Sequence, residues 1–98
     1  MSLPVIIHRQ AQREFDAASD WYEWHRAGLG VKFTAAVQQV LDEAAAHPQR
    51  YPQVYGEVRE GMVPGFPYCV YYRLEAGHIL VLAVIHTSRD PSIWQSRA

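Results

Sequence analysis

The segment His78 to His86 constrains this chain more than any other, because every residue from Ile79 to Ile85 is apolar. The run is strand-length, far short of the roughly 20 residues of a membrane span. As a strand it places Ile79, Val81, Ala83 and Ile85 on one face and Leu80, Leu82 and Val84 on the other. Both faces must then be covered, which makes it a central strand with material above and below. The chain has 98 residues, enough for one domain, residues 1–98, whose core buries about 65% of the surface that the unfolded chain exposes.

The cover is found upstream. Pro4 to Ile7 is short, β-branched and apolar, and opens the chain as a strand. From His8 to His25 the period changes, and Ala11, Phe15, Ala18 and Tyr22 form one helical stripe. Ala17, Trp21 and Trp24 form a second stripe, so this helix is apolar over a wider arc than one packing contact needs. Gly28-Leu29-Gly30 breaks it. A second helix runs from about Val31 to Ala46, with Phe33, Ala36, Val37, Val40, Leu41 and Ala44 on one face, until His47-Pro48 ends it. So short a break makes the two helices an antiparallel hairpin.

Downstream, Val54 to Val63 reads as a weak, Gly-interrupted edge strand. Tyr68 to Leu74 alternates, with Tyr68, Val70, Tyr72 and Leu74 on one face and Cys69, Tyr71 and Arg73 on the other. Glu75-Ala76-Gly77 is a hairpin loop. In the tail, Asp90-Pro91 starts a short helical turn bearing Ile93 and Trp94, with Asp90 as its cap. The predicted fold is α+β, a small antiparallel-rich sheet on an N-terminal helical hairpin, in the order β-α-α-β-β-β with a C-terminal helical turn. Two helices cover one face of such a sheet; the surplus apolar surface on the first helix and last strand predicts a permanent protein partner.

Composition limits the chemistry. Nine Lys and Arg against ten Asp and Glu give a formal charge of −1, too balanced for electrostatics alone to hold DNA or RNA. Through His47 four bases face six acids, and from Pro48 onward five arginines face four acids. Cys69 is the single cysteine, which rules out an internal disulfide, fits a reducing compartment and suits a small core residue better than a nucleophile. His8, His25, His47 and His78 have no metal-ligand spacing, so no metal and no other cofactor is expected. With neither a signal peptide nor a membrane segment in view, the expected location is the cytoplasm.

Taken in order, Trp21-Tyr22, Gly28-Leu29-Gly30 with Phe33, His47-Pro48, Tyr51-Pro52, Phe66-Pro67-Tyr68, Val70-Tyr71-Tyr72-Arg73, Val81 to His86, Arg89-Asp90-Pro91 and Trp94 resemble the RelE/ParE toxin superfamily of type II toxin-antitoxin modules. The resemblance is to the ParE-like, plasmid-stabilisation branch and runs from about Val5 to Trp94. It implies a β-α-α-β-β-β fold, an antitoxin encoded alongside and a bacterial cytoplasmic setting. Within the superfamily, RelE-like members are ribosome-dependent mRNA endonucleases and ParE-like members poison DNA gyrase. Lys32 is the only lysine, and the balanced charge suits docking on ribosomal RNA poorly, which favours the gyrase branch. A ribosome-dependent mRNA endonuclease and a non-toxic, antitoxin-bound remnant are the alternatives. The basic pair usual in the family before Phe-Pro-Tyr is Pro64-Gly65 here.

The resemblance implies a ribbon-helix-helix, ParD-like antitoxin as partner, DNA gyrase as target, operator DNA bound only through the antitoxin, and no membrane. Candidate antitoxin-binding residues are Trp21, Tyr22, Trp24 and Tyr71; candidate target-binding residues are Arg73, Arg89 and Trp94. A gyrase poison acts by binding and needs no catalytic residue. The endonuclease alternative needs a base, an acid and cations for the developing phosphorane charge, for which Arg73, His86 and Arg89 are the candidates.

Overall fold

The computed structural model describes residues 2–98 and places them in the order β1 (Val5–Ile7), α1 (Arg9–His25), α2 (Leu29–Ala46), β2 (Gln53–Tyr55), β3 (Val58–Met62), β4 (Tyr68–Glu75), β5 (His78–His86) and α3 (Ser92–Gln95). The sheet has five strands in the order β1-β5-β4-β3-β2, with β1 parallel to β5 and the other pairs antiparallel. This is the expected α+β architecture, with β5 inside the sheet as its two apolar faces require. Where one edge strand was expected over Val54 to Val63 there are two, β2 and β3, paired about the turn Gly56-Glu57.

The helical hairpin is held by its break. Gly28 takes a φ of 88°, which a side chain disfavours, and a Cβ on Gly30 would lie 2.6 Å from the Ser19 carbonyl oxygen. The Glu23 carboxylate accepts from both backbone N–H groups, Gly28 at 2.8 Å and Gly30 at 3.0 Å. A side chain from α1 thus satisfies free donors at the start of α2, as a capping residue does. This fixes α1 beside α2, and together they bury Phe15, Ala18, Phe33, Val37 and Val40 against one face of the sheet.

β5 does not alternate as its sequence suggests. Tyr72 pairs with Val81 and Tyr71 with Ala83, so Leu82 is an extra residue in a bulge. Before the bulge Ile79 and Val81 face the helices; after it Val84 does. Leu82, Ala83 and Ile85 gather on the opposite face with Val58, Cys69, Tyr71 and Trp94. The face assignment of Ala83, Ile85 and Val84 is therefore the reverse of strict alternation, because one unpaired residue shifts the pleat. Among the described residues no helix is long and apolar enough to cross a membrane.

Candidate functional site

β1 pairs only with Ile79 to Val81, since His8 leaves the strand to cap α1, its Nδ1 accepting from the Gln10 N–H at 3.2 Å. Leu82 to His86 have no strand neighbour on that side. Between this stretch and α1 lies a groove of about 730 Å³. Arg13, Glu14, Ala17, Ala18, Trp21 and Tyr22 line it from α1, Pro67 and Tyr68 from the start of β4, and Val84, Ile85, His86 and Arg89 from β5 and the turn beyond. The lateral edge of β5 is closed by side chains: the Val84 N–H donates to Glu14 Oε1 at 3.1 Å, and Arg97 donates to the Leu82 carbonyl at 3.0 Å. Such an edge is guarded against strand pairing.

One end of the groove is built on a cluster of rings that meet mostly edge to face. Tyr22, Phe33, Phe66 and Tyr68 meet with centroids between 4.9 and 6.0 Å apart. Burial pushes the Tyr22 and Tyr68 hydroxyls above the ordinary tyrosine value, the Arg89 charge pulling Tyr68 partly back. Both stay neutral phenols over any physiological range. Glu14 is matched in charge by Arg97, with Nη2 to Oε2 at 2.9 Å, so the groove charges with no ion-pair partner among the described residues are the cations Arg13 and Arg89. The result is an apolar channel with a cationic rim.

His86 sits where β5 leaves the sheet. Its Nδ1 accepts from the Ser88 N–H at 3.1 Å and lies 2.8 Å from the Ser88 hydroxyl. A backbone N–H can only donate, so the neutral ring carries its proton on Nε2. That nitrogen offers a hydrogen-bond donor instead of a base. Among the described residues no three His, Cys, Asp or Glu side chains gather as metal ligands.

A solved structure with the same arrangement is described as the chromosomal ParDE TA system from P. aeruginosa; it superposes with a TM-score of 0.72 at 17% identity, covering 87% of this chain and 96% of that one. No curated protein matches the sequence. The sequence profile of the family described as "ParE toxin of type II toxin-antitoxin system, parDE" matches residues 5–91. The chain belongs to the ParE toxin family.

In this ParE-family chain the residues proposed from sequence fall in different places. Trp21 and Tyr22 line the groove, Trp21 exposed and stacked on the His25 ring at 3.8 Å, Tyr22 half-buried in the aromatic cluster. Trp24 is 88% exposed at the end of α1 and does not reach the groove. Tyr71 is on the opposite face of the sheet, buried flat against Trp94 with centroids 4.3 Å apart. Tyr71, expected as an antitoxin contact, and Trp94, expected as a target contact, are thus both buried, each covering the other.

Arg89 is on the groove rim, whereas Arg73 pairs with Glu75 at 3.1 Å. Tyr68 pairs with His86 and Arg73 with Leu80, so Arg73 lies five residues along β4 from His86's partner, about 17 Å at strand rise. The set Arg73, His86 and Arg89 therefore does not converge. Cys69 is buried as expected, and burial raises its thiol above the ordinary value.

Arg13, Glu14, Tyr68 and Arg97 were missed. Arg13 continues the stripe of Ala17 and Trp21 by a step of four, and Glu14 continues that of Ala18 and Tyr22. Extending both stripes one turn towards the N-terminus was the available signal. For Arg97, 83 residues from Glu14, the sequence carries none.

Proposed function

We propose that this ParE-family protein is the toxin of a type II module, that it acts by binding DNA gyrase, and that a ParD-like ribbon-helix-helix antitoxin neutralises it in the bacterial cytoplasm. The observation that carries the reading is the groove, an apolar channel with Trp21 and Tyr22 on its α1 wall and Arg13 and Arg89 at its rim, without an ion-pair partner among the described residues. Such a surface suits an amphipathic segment whose apolar side fills the channel and whose acidic residues meet the two arginines. The antitoxin segment docks there, and operator DNA is bound only through the antitoxin.

Binding, not cleavage, is favoured by what the endonuclease reading requires. Of its three candidate residues His86 and Arg89 meet at the groove while Arg73 lies far along β4, paired with Glu75, and His86 in its neutral form offers a donor at Nε2. Arg89, exposed beside the groove, remains the candidate contact for the target. The test is expression of the toxin alone with DNA breaks and mRNA cleavage followed in the same cells, beside a supercoiling assay on purified gyrase. Gyrase-dependent breaks with intact mRNA are expected. Ribosome-dependent mRNA cleavage abolished by His86→Ala would replace this reading with the endonuclease, and no toxicity at all would leave the antitoxin-bound remnant.

A further inference from the structure

A two-point ion pair ties the C-terminal tail to α1. Arg97 Nη1 donates to Glu14 Oε1 at 3.0 Å and to the Leu82 carbonyl at 3.0 Å, and Nη2 donates to Glu14 Oε2 at 2.9 Å. The two side chains keep only 12% and 18% of their exposure. A two-point fork of this kind is the most orientation-specific ion pair a protein makes. Three residues earlier Trp94 lies on Tyr71 with an interplanar angle of 11° and meets the edge of Tyr55 at 5.8 Å.

These contacts hold a helix that cannot hold itself. α3 has four residues, below any length at which a helix is stable alone in water. It nevertheless covers Val58, Cys69, Tyr71, Leu82, Ala83 and Ile85, a cluster whose members, among the described residues, all belong to β3, β4, β5 or α3. The opposite face of the same sheet is covered by helices of 17 and 18 residues. One cover is integral to the fold and the other is attached to it by the ring contacts of Trp94 with Tyr71 and Tyr55 and by the bonds of Arg97 to Glu14 and the Leu82 carbonyl.

We propose that Ser92 to Arg97 form a latched cover that opens while the remainder of the fold stays intact, with the Arg97–Glu14 pair as the latch. Opening uncovers the apolar sheet face around Tyr71, Leu82 and Ile85 and returns Glu14, a wall residue of the groove, to an unpaired charge. The state of the tail therefore sets both the exposure of one sheet face and the charge of the groove wall between α1 and β5.

Cys69, the single cysteine and 3% exposed in the covered cluster, is the reporter. A thiol reagent applied to the native protein at constant pH labels it at a rate set by opening. In the wild type that rate is expected to depend only weakly on sub-denaturing urea, because a local opening exposes little surface. Glu14→Gln keeps an acceptor for the Val84 N–H while removing the charge. It and Arg97→Ala should each speed labelling on the order of tenfold, with Arg97→Lys between wild type and Arg97→Ala. The double variant should label no faster than the faster single, as two partners of one contact require. The far-ultraviolet helix signal should be retained throughout. Labelling in the wild type with the urea dependence of global unfolding overturns the proposal, as do unchanged rates in the variants or effects that add independently. Should Glu14→Gln or Arg97→Ala fail to fold, Trp94→Phe takes their place, and it must speed labelling while the α1–α2 signal persists.

Discussion

The two faces of the sheet bury similar kinds of residue by opposite means. On the helix face Phe33, fully buried, packs against the rings of Phe15, Tyr22, Phe66 and Tyr68, contributed by α1, the loop before β4 and β4 itself. On the other face Trp94 lies on Tyr71 and meets the edge of the exposed Tyr55. Redundant contacts from several elements fail together, whereas the contacts of one ring at the end of the chain fail alone. The helix face should accordingly set global stability, and the α3 face should set a local opening.

Changes at one position on each face would break this contrast most directly. Phe33→Ala should cost about 3–5 kcal/mol, a large part of the roughly 5–15 kcal/mol of a typical domain, read as a fall in the urea midpoint. Trp94→Ala removes a larger side chain yet should cost less, about 1–2 kcal/mol. Once α3 has detached no further loss can accrue, so the cost is bounded by the free energy of opening. Equal losses at the two positions would show that α3 is an integral part of the cooperative core.

The groove sharpens the same point on a smaller scale, because neighbouring residues of α1 line it in different ways. Tyr22 belongs to the ring cluster, so Tyr22→Ala should destabilise the fold by about 2 kcal/mol as well as weaken antitoxin binding. Trp21, 54% exposed, should leave stability within about 0.5 kcal/mol on change to Ala. Its loss should still weaken antitoxin binding by about 2 kcal/mol, roughly 30-fold, as for an interface anchor. Thermal melts and a titration with the antitoxin separate the two effects. A Trp21→Ala protein that binds as tightly as wild type would remove the groove from the antitoxin site.

Local patterns in the sequence reveal the elements and the hairpin, and part of the site. The stripes of α1 bring Trp21 and Tyr22 to the groove because helical spacing fixes which residues share a face. They do not reveal that Trp24, one step further along the second stripe, runs off the end of the groove. The bulge at Leu82 was not legible, since Ile79 to Ile85 is apolar throughout and gives no register signal for pairing with β4. Neither was the burial of Trp94 on Tyr71, nor the Arg97–Glu14 fork. Both are long-range contacts made by a tail whose own composition matches that of an exposed terminus.

The smallest effect is expected at the start of the tail. Asp90 Oδ1 accepts from the Ser92 N–H at 2.9 Å, capping the turn that carries Trp94. That backbone bond, with help from the Ser92 hydroxyl, holds the Asp90 carboxyl below the ordinary aspartate value although the side chain is open to solvent. A carboxyl depressed in the folded state contributes its stabilisation above the unfolded value, near about 3.9, and loses it as pH falls through the depressed native value. The α3 cover should therefore loosen slightly on acidification below about pH 4, before the helix face responds. The resonance of the Trp94 indole N–H, followed from about pH 6 to about pH 2, reads this directly. Asp90→Asn keeps an oxygen for the Ser92 N–H but cannot titrate, so it should behave like wild type at neutral pH and lack this component at low pH. The tail has a second anchor in the Arg97–Glu14 pair, which is why the difference between wild type and Asp90→Asn is the quantity to measure. A difference of zero would show that the Asp90 cap contributes nothing to the acid response of the cover.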